Sequence, residues 1–194
     1  MGKSKRISEA IQQSVEVKQK MLSNDGILSA ISDIAETCTR SLSNGNKIMF
    51  CGNGGSAADA QHLAAELSGR FYYDRQPLAA EALTVNTSYL TAVSNDYSFD
   101  EVYARLVEGS GKEGDVLIGL STSGNSNNVV RAFQTAHKKG IITVSLTGAT
   151  GGKLAELSDY IIRVPSSDTP RIQESHILIG HIICELIEKS LFPR

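Results

Sequence analysis

The sequence has no tryptophan and few aromatics of any kind, 6% of 194 residues. Hydrophobic residues nonetheless make up 41%, enough for a buried core, which excludes a chain disordered throughout. The chain also lacks an excess of either charge: 19 basic and 21 acidic residues leave a net charge of −2. Nucleic-acid binding by phosphate neutralisation usually brings a basic excess, so the balance speaks against that class. No apolar run reaches the ~18 residues that mark a membrane span. The basic start, Lys3-Ser4-Lys5-Arg6, is not followed by a continuous apolar stretch, so no signal peptide is expected. Three cysteines, Cys38, Cys51 and Cys184, are an odd number without close spacing, which argues against a disulfide framework and a zinc ribbon. A reducing cytoplasm is the simplest compartment for them. Cys51 reads as a small buried residue at a strand end, with a catalytic thiol as the alternative.

What is present is a regular alternation of elements. Residues 8–42 carry Ile11, Val15, Met21, Leu22, Ile27, Ile31 and Ile34 at helical spacing. The cluster Ser23-Asn24-Asp25-Gly26 divides them into two helices. Beyond Gly45 the pattern changes to short apolar runs: 47–51, 82–85, 116–120, 142–146 and 160–164. Helical segments separate or follow them, at 57–68, 89–94, 101–108, 127–138, 153–157 and 171–189. Five apolar strands alternating with helices predict an α/β domain with a parallel sheet covered on both faces. Residues 1–46 read as an N-terminal helical arm and 47–194 as the domain itself.

Two loops carry the first chemical signals. Cys51-Gly52-Asn53-Gly54-Gly55-Ser56 follows a strand and opens a helix. Ligands of open α/β sheets bind outside the carboxyl ends of strands. Glycines there bare backbone N–H groups beside the positive end of the next helix, which suits a phosphate. Leu120-Ser121-Thr122-Ser123-Gly124-Asn125-Ser126 repeats the arrangement with four hydroxyls, more than the N-cap that Ser126 could supply. Neither loop has the Walker or the dinucleotide spacing.

Histidines supply the third signal. His62 and Glu66 stand four apart on the helix after the first loop, as two metal ligands, as a base with its partner, or as a solvated pair. On the last helix Gln173, Ile177 and His181 share a stripe, while His176 points away from it as a core or supporting residue. His62, Glu66, Gln173 and His181 form one possible ligand set, acceptable to zinc. Gln173 and His181 are about 12 Å apart along an ideal helix. Either Gln173 precedes the helix proper, or a neighbouring subunit completes the site.

With these residues in place the chain resembles the sugar isomerase (SIS) domain family, and within it the bacterial phosphoheptose isomerases. The matching segments are 51–56, Asp-Ala-Gln-His at 59–62, Ala-Glu-Leu-Ser-Gly-Arg at 65–70, Ser-Asn-Asp at 94–96, 114–126, Leu-Thr-Gly at 146–148 and Arg-Ile-Gln-Glu at 171–174. The resemblance implies a flavodoxin-like three-layer sandwich with a five-stranded parallel sheet, assembled as a homotetramer. It implies interconversion of D-sedoheptulose 7-phosphate and D-glycero-D-manno-heptose 7-phosphate, a first step toward surface-glycan heptose. By the same resemblance Asn53, Gly54, Gly55, Ser56, Glu66, Asn95, Asp96, Ser121, Thr122, Ser123, Ser126 and Gln173 hold substrate. His62, Glu66, Gln173 and His181 hold a zinc ion (Zn2+), and Glu66 with His181 forms the acid/base pair. Some relatives carry an Asp shortly before Arg-Ile-Gln-Glu; here Asp168-Thr169-Pro170 stands there, and Asp168 is given no role. The same fold serves non-catalytic proteins of the replication-initiator-binding type, which depart at the metal and acid/base positions that are present here. An isomerase of another sugar phosphate is the other alternative.

Overall fold

The computed structural model describes residues 2–194; Met1, the first residue of the N-terminal arm, lies outside the described residues. Two helices open the chain, α1 (Lys3–Leu22) and α2 (Asp25–Ser43). The break falls where the turn cluster predicts it: the Asn24 side chain accepts from the Ile27 amide at 3.1 Å and caps α2. The domain then runs β1 (Ile48–Gly52), α3 (Gly55–Ser68), β2 (Ala80–Ala82), α4 (Thr87–Asp96), α5 (Val102–Ser110), β3 (Val116–Ser121), α6 (Asn127–Lys138), β4 (Ile142–Thr147), β5 (Tyr160–Arg163) and α7 (Thr169–Leu191). Short 3-10 turns at Phe99–Glu101 and Gly152–Glu156 complete it.

The five strands form one sheet in the order β2-β1-β3-β4-β5, every pair parallel. Its two faces are covered by separate clusters. Ile48, Phe50, Ile118 and Leu146 face Ile34 of α2, Leu63 of α3 and Ile183 of α7. Met49, Cys51 and Leu117 face Val93 of α4, Val107 of α5 and Phe133 of α6. Alternate residues of each strand thus feed opposite layers, and both are covered, so the central strands β1 and β3 read as unbroken apolar runs, while β4 alternates with the buried Thr143, Ser145 and Thr147. The three-layer α/β sandwich is the one expected. Helix α2 sits in the first layer with seven buried residues, whereas α1 buries only Val17 and Met21 and lies outside it.

Element bounds differ from expectation mainly at β2. The run 82–85 was expected to be strand, but pairing covers only Ala80–Ala82, and after Leu83 donates to the Phe50 carbonyl the chain turns away. Val85 is exposed there, so its β-branched side chain has no sheet to pack on. Segment 153–157 is a 3-10 turn rather than a helix.

The order of strands positions the site. From β1 the chain crosses to one edge through α3, and from β3 it proceeds to the other edge through α6. Gly52 pairs with Leu120 in register, so the loops after β1 and β3 leave the sheet side by side and diverge to opposite faces. That divergence opens the crevice where ligands of such sheets bind.

Gly119, in the middle of β3, gives Phe133 its place: a Cβ at Gly119 would sit 2.5 Å from the ring. Phe133 is fully buried. Phe133→Ala is expected to lower stability by about 3–5 kcal/mol through the cavity left behind. Gly119→Ala is expected to cost about 1–3 kcal/mol by overpacking. The double variant should lose less than the sum, because the added methyl enters the vacated space. Urea unfolding at fixed protein concentration measures all three.

Candidate functional site

The loop after β1 is shaped by two different demands on glycine. Gly54 has φ +55°, a left-handed conformation that leaves open space where a Cβ would be. At Gly52 the demand is proximity, since a Cβ would meet the Ser56 backbone at 2.7 Å. The tight turn brings the first residues of α3 directly onto the strand end. Helix α3 therefore starts at Gly55, two residues before the expected Ala57. Ser56 is buried in its first turn.

The loop after β3 is held in the same way. Gly124 has φ +67°, and a Cβ there would lie 1.9 Å from the Gly151 carbonyl, so the loops after β3 and β4 touch backbone to backbone. Ser126 occupies the N-cap position of α6, but its hydroxyl makes no capping bond. It pairs instead with the Ser121 hydroxyl at 2.9 Å. Asn125 donates its amide to the Ser123 hydroxyl at 3.1 Å. Behind these groups lies a cavity of about 260 Å³, bounded by Thr122, Ser123, Asn125, Thr150, Ser166 and Thr169 among others. No charged side chain lines it. Hydroxyls and the amino end of α7, which enters through Thr169 and Ile172, are the groups available to an anion there.

Asn128 joins the two loops, and the sequence reading missed it. Its side-chain amide exchanges two hydrogen bonds of 2.9 Å with that of Asn53. It is buried in the first turn of α6. Ser166 and Ser167 were missed as well; they follow β5, in the position that the glycine loops hold after β1 and β3. Asn95 and Asp96 end α4, exposed and bonded to each other at 3.0 Å. Among the described residues no hydrogen bond joins either of them to the glycine loops.

The histidines do converge. Helices α3 and α7 pack side by side and in the same direction, with Gly55 against Gln173 and Leu63 against Gly180. The His62 Nε2 lies 2.9 Å from Glu66 Oε1 and 3.2 Å from His181 Nε2. All three donor atoms fall within 4.8 Å of one another. Two-centre hydrogen bonds alone do not serve both contacts. If His62 Nε2 carries its proton to Glu66, it has no lone pair for His181; if it accepts from His181, its lone pair faces the carboxylate. The three atoms would suit a divalent cation, since ligands about 2.1 Å from zinc lie roughly 3.3 Å apart, close to the spacing of His62 from Glu66 and from His181.

Gln173 is placed elsewhere. It sits inside α7, not before it, and its side chain lies against Gly55, where a Cβ would be 2.7 Å from Nε2. Of the two alternatives, the one in which Gln173 precedes the helix is therefore corrected, and about 12 Å of helix separates it from His181 within the chain. One chain brings three of the four residues together and leaves Gln173 at the glycine loop.

Two buried groups complete the surroundings. Burial pushes the Asp59 carboxyl above its usual range, while the positive charge of His62 and His181 draws it down. Asp59 Oδ2 is buried without a partner on the same helix. His176 is fully buried, its Nε2 3.2 Å from the Thr147 carbonyl and its Nδ1 unpartnered. It fills the supporting role the sequence suggests, holding the end of β4 beneath the loops. Cys51 is buried and free, and burial pushes its thiol up to about 12, as expected of a packing residue rather than a nucleophile.

Two glycine loops, a row of hydroxyls and an acid/histidine cluster thus meet at the carboxyl end of one parallel sheet. The SIS domain matches residues 11–148, and the chain belongs to this family. It is 53% identical to a phosphoheptose isomerase of Aneurinibacillus thermoaerophilus over 186 residues, 96% of this chain and 94% of that protein. The solved phosphoheptose isomerase of Neisseria gonorrhoeae is 43% identical and superimposes with a TM-score of 0.91, covering 96% of this chain and 98% of that one. That of Francisella tularensis, at 35% identity, gives 0.94 with 97% and 100% covered.

His176 sets a pH dependence. Burial lowers its pKa from 6.5 to about 4, against the pull of its bond to Thr147. Between those values the unfolded chain takes up a proton that the native chain refuses. Native stability is therefore complete above about pH 6.5 and falls as pH drops toward 4, by about 3 kcal/mol in all. His176→Gln should be less stable near pH 7 yet lose less over that window. Urea titrations at the two ends compare the slopes.

Proposed function

We propose that this protein is an aldose–ketose isomerase of the phosphoheptose isomerase type, interconverting D-sedoheptulose 7-phosphate and D-glycero-D-manno-heptose 7-phosphate. The observation that carries the reading is the meeting of His62, Glu66 and His181 on the helices that adjoin the phosphate-type loops. The names of the relatives, at about half identity over nearly the full chain, point the same way.

The reaction moves a proton between C1 and C2 through an enediol. Glu66 removes the proton from C1 of the ketose while His181 gives one to O2. His181 then takes the O1 proton and Glu66 returns its proton to C2, so the pair ends as it began. Ser56, Ser121, Thr122, Ser123 and Ser126 hold the phosphate with Gly54 and Gly55, and Asn53 and Gln173 orient the sugar at the first loop. His62, Glu66 and His181 would hold zinc, which when bound supplies polarisation of the carbonyl and of developing oxyanion charge. The four-ligand set with Gln173 requires a second copy to bring that side chain, and a homotetramer is the assembly we infer. Exposed Ile7, Ile11 and Leu22 on α1 and Leu178 and Leu186 on α7 give such an assembly apolar surface to cover. No helix among the described residues is long and apolar enough to cross a membrane. We place the reaction in the cytoplasm, feeding the heptose of lipopolysaccharide or a related surface glycan.

Turnover of sedoheptulose 7-phosphate by the purified protein tests this, alongside Glu66→Gln and His181→Gln with bound zinc quantified in each. Both variants should fold and lose about 100-fold or more in kcat. Metal-loaded wild-type protein without turnover would remove the assignment.

A further inference from the structure

Glu188 and Arg75 form an ion pair that the proposed reaction does not use. Their side chains are 1% and 2% exposed, and Arg75 Nε lies 2.9 Å from Glu188 Oε1. Burying two charges is costly unless every hydrogen-bonding group finds a partner. Here they do. Glu188 also accepts from the amides of Phe71 at 3.2 Å and Tyr72 at 2.9 Å. Arg75 Nη1 donates to the Leu67 carbonyl at 2.8 Å and the Gly69 carbonyl at 3.2 Å, and Nη2 donates to the Glu66 carbonyl at 2.7 Å. These are the orphan carbonyls at the end of α3, whose last turn holds no basic residue.

The pair thus has two outputs. Through Arg75 it caps the turn of α3 that carries Glu66. Through Glu188 it fixes the loop after α3, and that loop lays the Phe71 ring on His181, centroids 5.6 Å apart and planes at 24°. Glu188 lies on α7 seven residues beyond His181, so the carboxylate that holds the loop and the histidine that the loop covers share one helix. Phe71 is half-buried and packs on the edge of the core with its other contacts.

We propose that Arg75 and Glu188 are positioning residues of the active site, acting through Phe71 and the Glu66 turn to set how His181 and Glu66 face each other. They touch no substrate. A misplacement of about 1 Å in such a pair is enough to cost 100-fold in rate. The glycine loops lie at the opposite end of α3, so substrate affinity is expected to be left alone.

For its effect on rate this inference rests on the isomerase reading; its geometric part does not. Three variants, Glu188→Gln, Phe71→Leu and the two combined, separate the cases. Glu188→Gln keeps the size of the side chain but replaces one acceptor oxygen by an NH2 donor and removes the charge, so the Phe71 amide, the Tyr72 amide and Arg75 cannot all keep their acceptor. In folded Glu188→Gln protein kcat should fall about tenfold or more, with KM within about threefold. Proton resonances of the His181 ring, followed with histidine-selective labelling, should lose the ring-current shift of the stacked Phe71 and move toward their positions in Phe71→Leu. The combined variant should lose little more than Glu188→Gln alone, because both changes break one chain of contacts. Resonances that stay in place in Glu188→Gln, unchanged kcat, or losses that multiply would each overturn the proposal. Should Glu188→Gln fail to fold, Phe71→Leu decides alone: wild-type kcat in that folded variant overturns it. If wild-type protein turns over no sedoheptulose 7-phosphate, the isomerase reading fails by itself, and the ring resonances still report the positioning.

Discussion

The contact between α3 and α7 is the constraint on which the rest depends. Both helices descend from the carboxyl end of the sheet, and they approach closely because Gly180 has no side chain: a Cβ there would lie 2.4 Å from Leu63. Packing at that distance puts residues of equal depth opposite one another. Gly55 meets Gln173 at the top, and His62 meets His181 two turns lower. A larger residue at 180 would push the helices apart and undo the histidine contact and the seating of Gln173 together. The core cluster and the chemical cluster are therefore one packing solution seen at two depths.

Much of this was legible in the chain. Buried parallel strands announce themselves by unbroken apolar runs, and β1 and β3 do so because both faces of each are covered, whereas β4 alternates because Thr143, Ser145 and Thr147 are buried with hydrogen-bond partners. The edge strand β2 was read at the wrong place, since an edge strand with one neighbour needs few apolar residues and Ala80-Glu81-Ala82 offers hardly any. The pairing of His62 with Glu66 follows from helical spacing alone. Their meeting with His181 does not, because it depends on a helix packed from more than a hundred residues away; the family resemblance supplied it. Asn128, Arg75 and Glu188 carried no local signal. An amide in a helix and a charged pair far apart in sequence look like surface until the fold buries them.

The two families of hydrogen bond in the site have different purposes. Bonds between loops, such as Asn53 with Asn128 and Ser121 with Ser126, fix the shape of the crevice. Bonds behind the helices, such as His176 to Thr147 and Arg75 to the end of α3, fix the elements that bear the reacting groups. Rigid elements hold catalytic geometry better than loops do, and here the acid/base candidates are on helices while the candidate anion site is built from loops.

The cavity beside the second loop contains hydroxyls and amides but no lysine or arginine. A grip built from neutral dipoles is short-ranged and does not draw anions in from a distance. As the proposed phosphate site it would treat two sugars that carry the same phosphate alike, whichever carbon bears the carbonyl. For a reaction whose two sides differ only by the places of two hydrogens, such even-handedness would let either partner leave, and traffic could run in whichever direction the cell removes it.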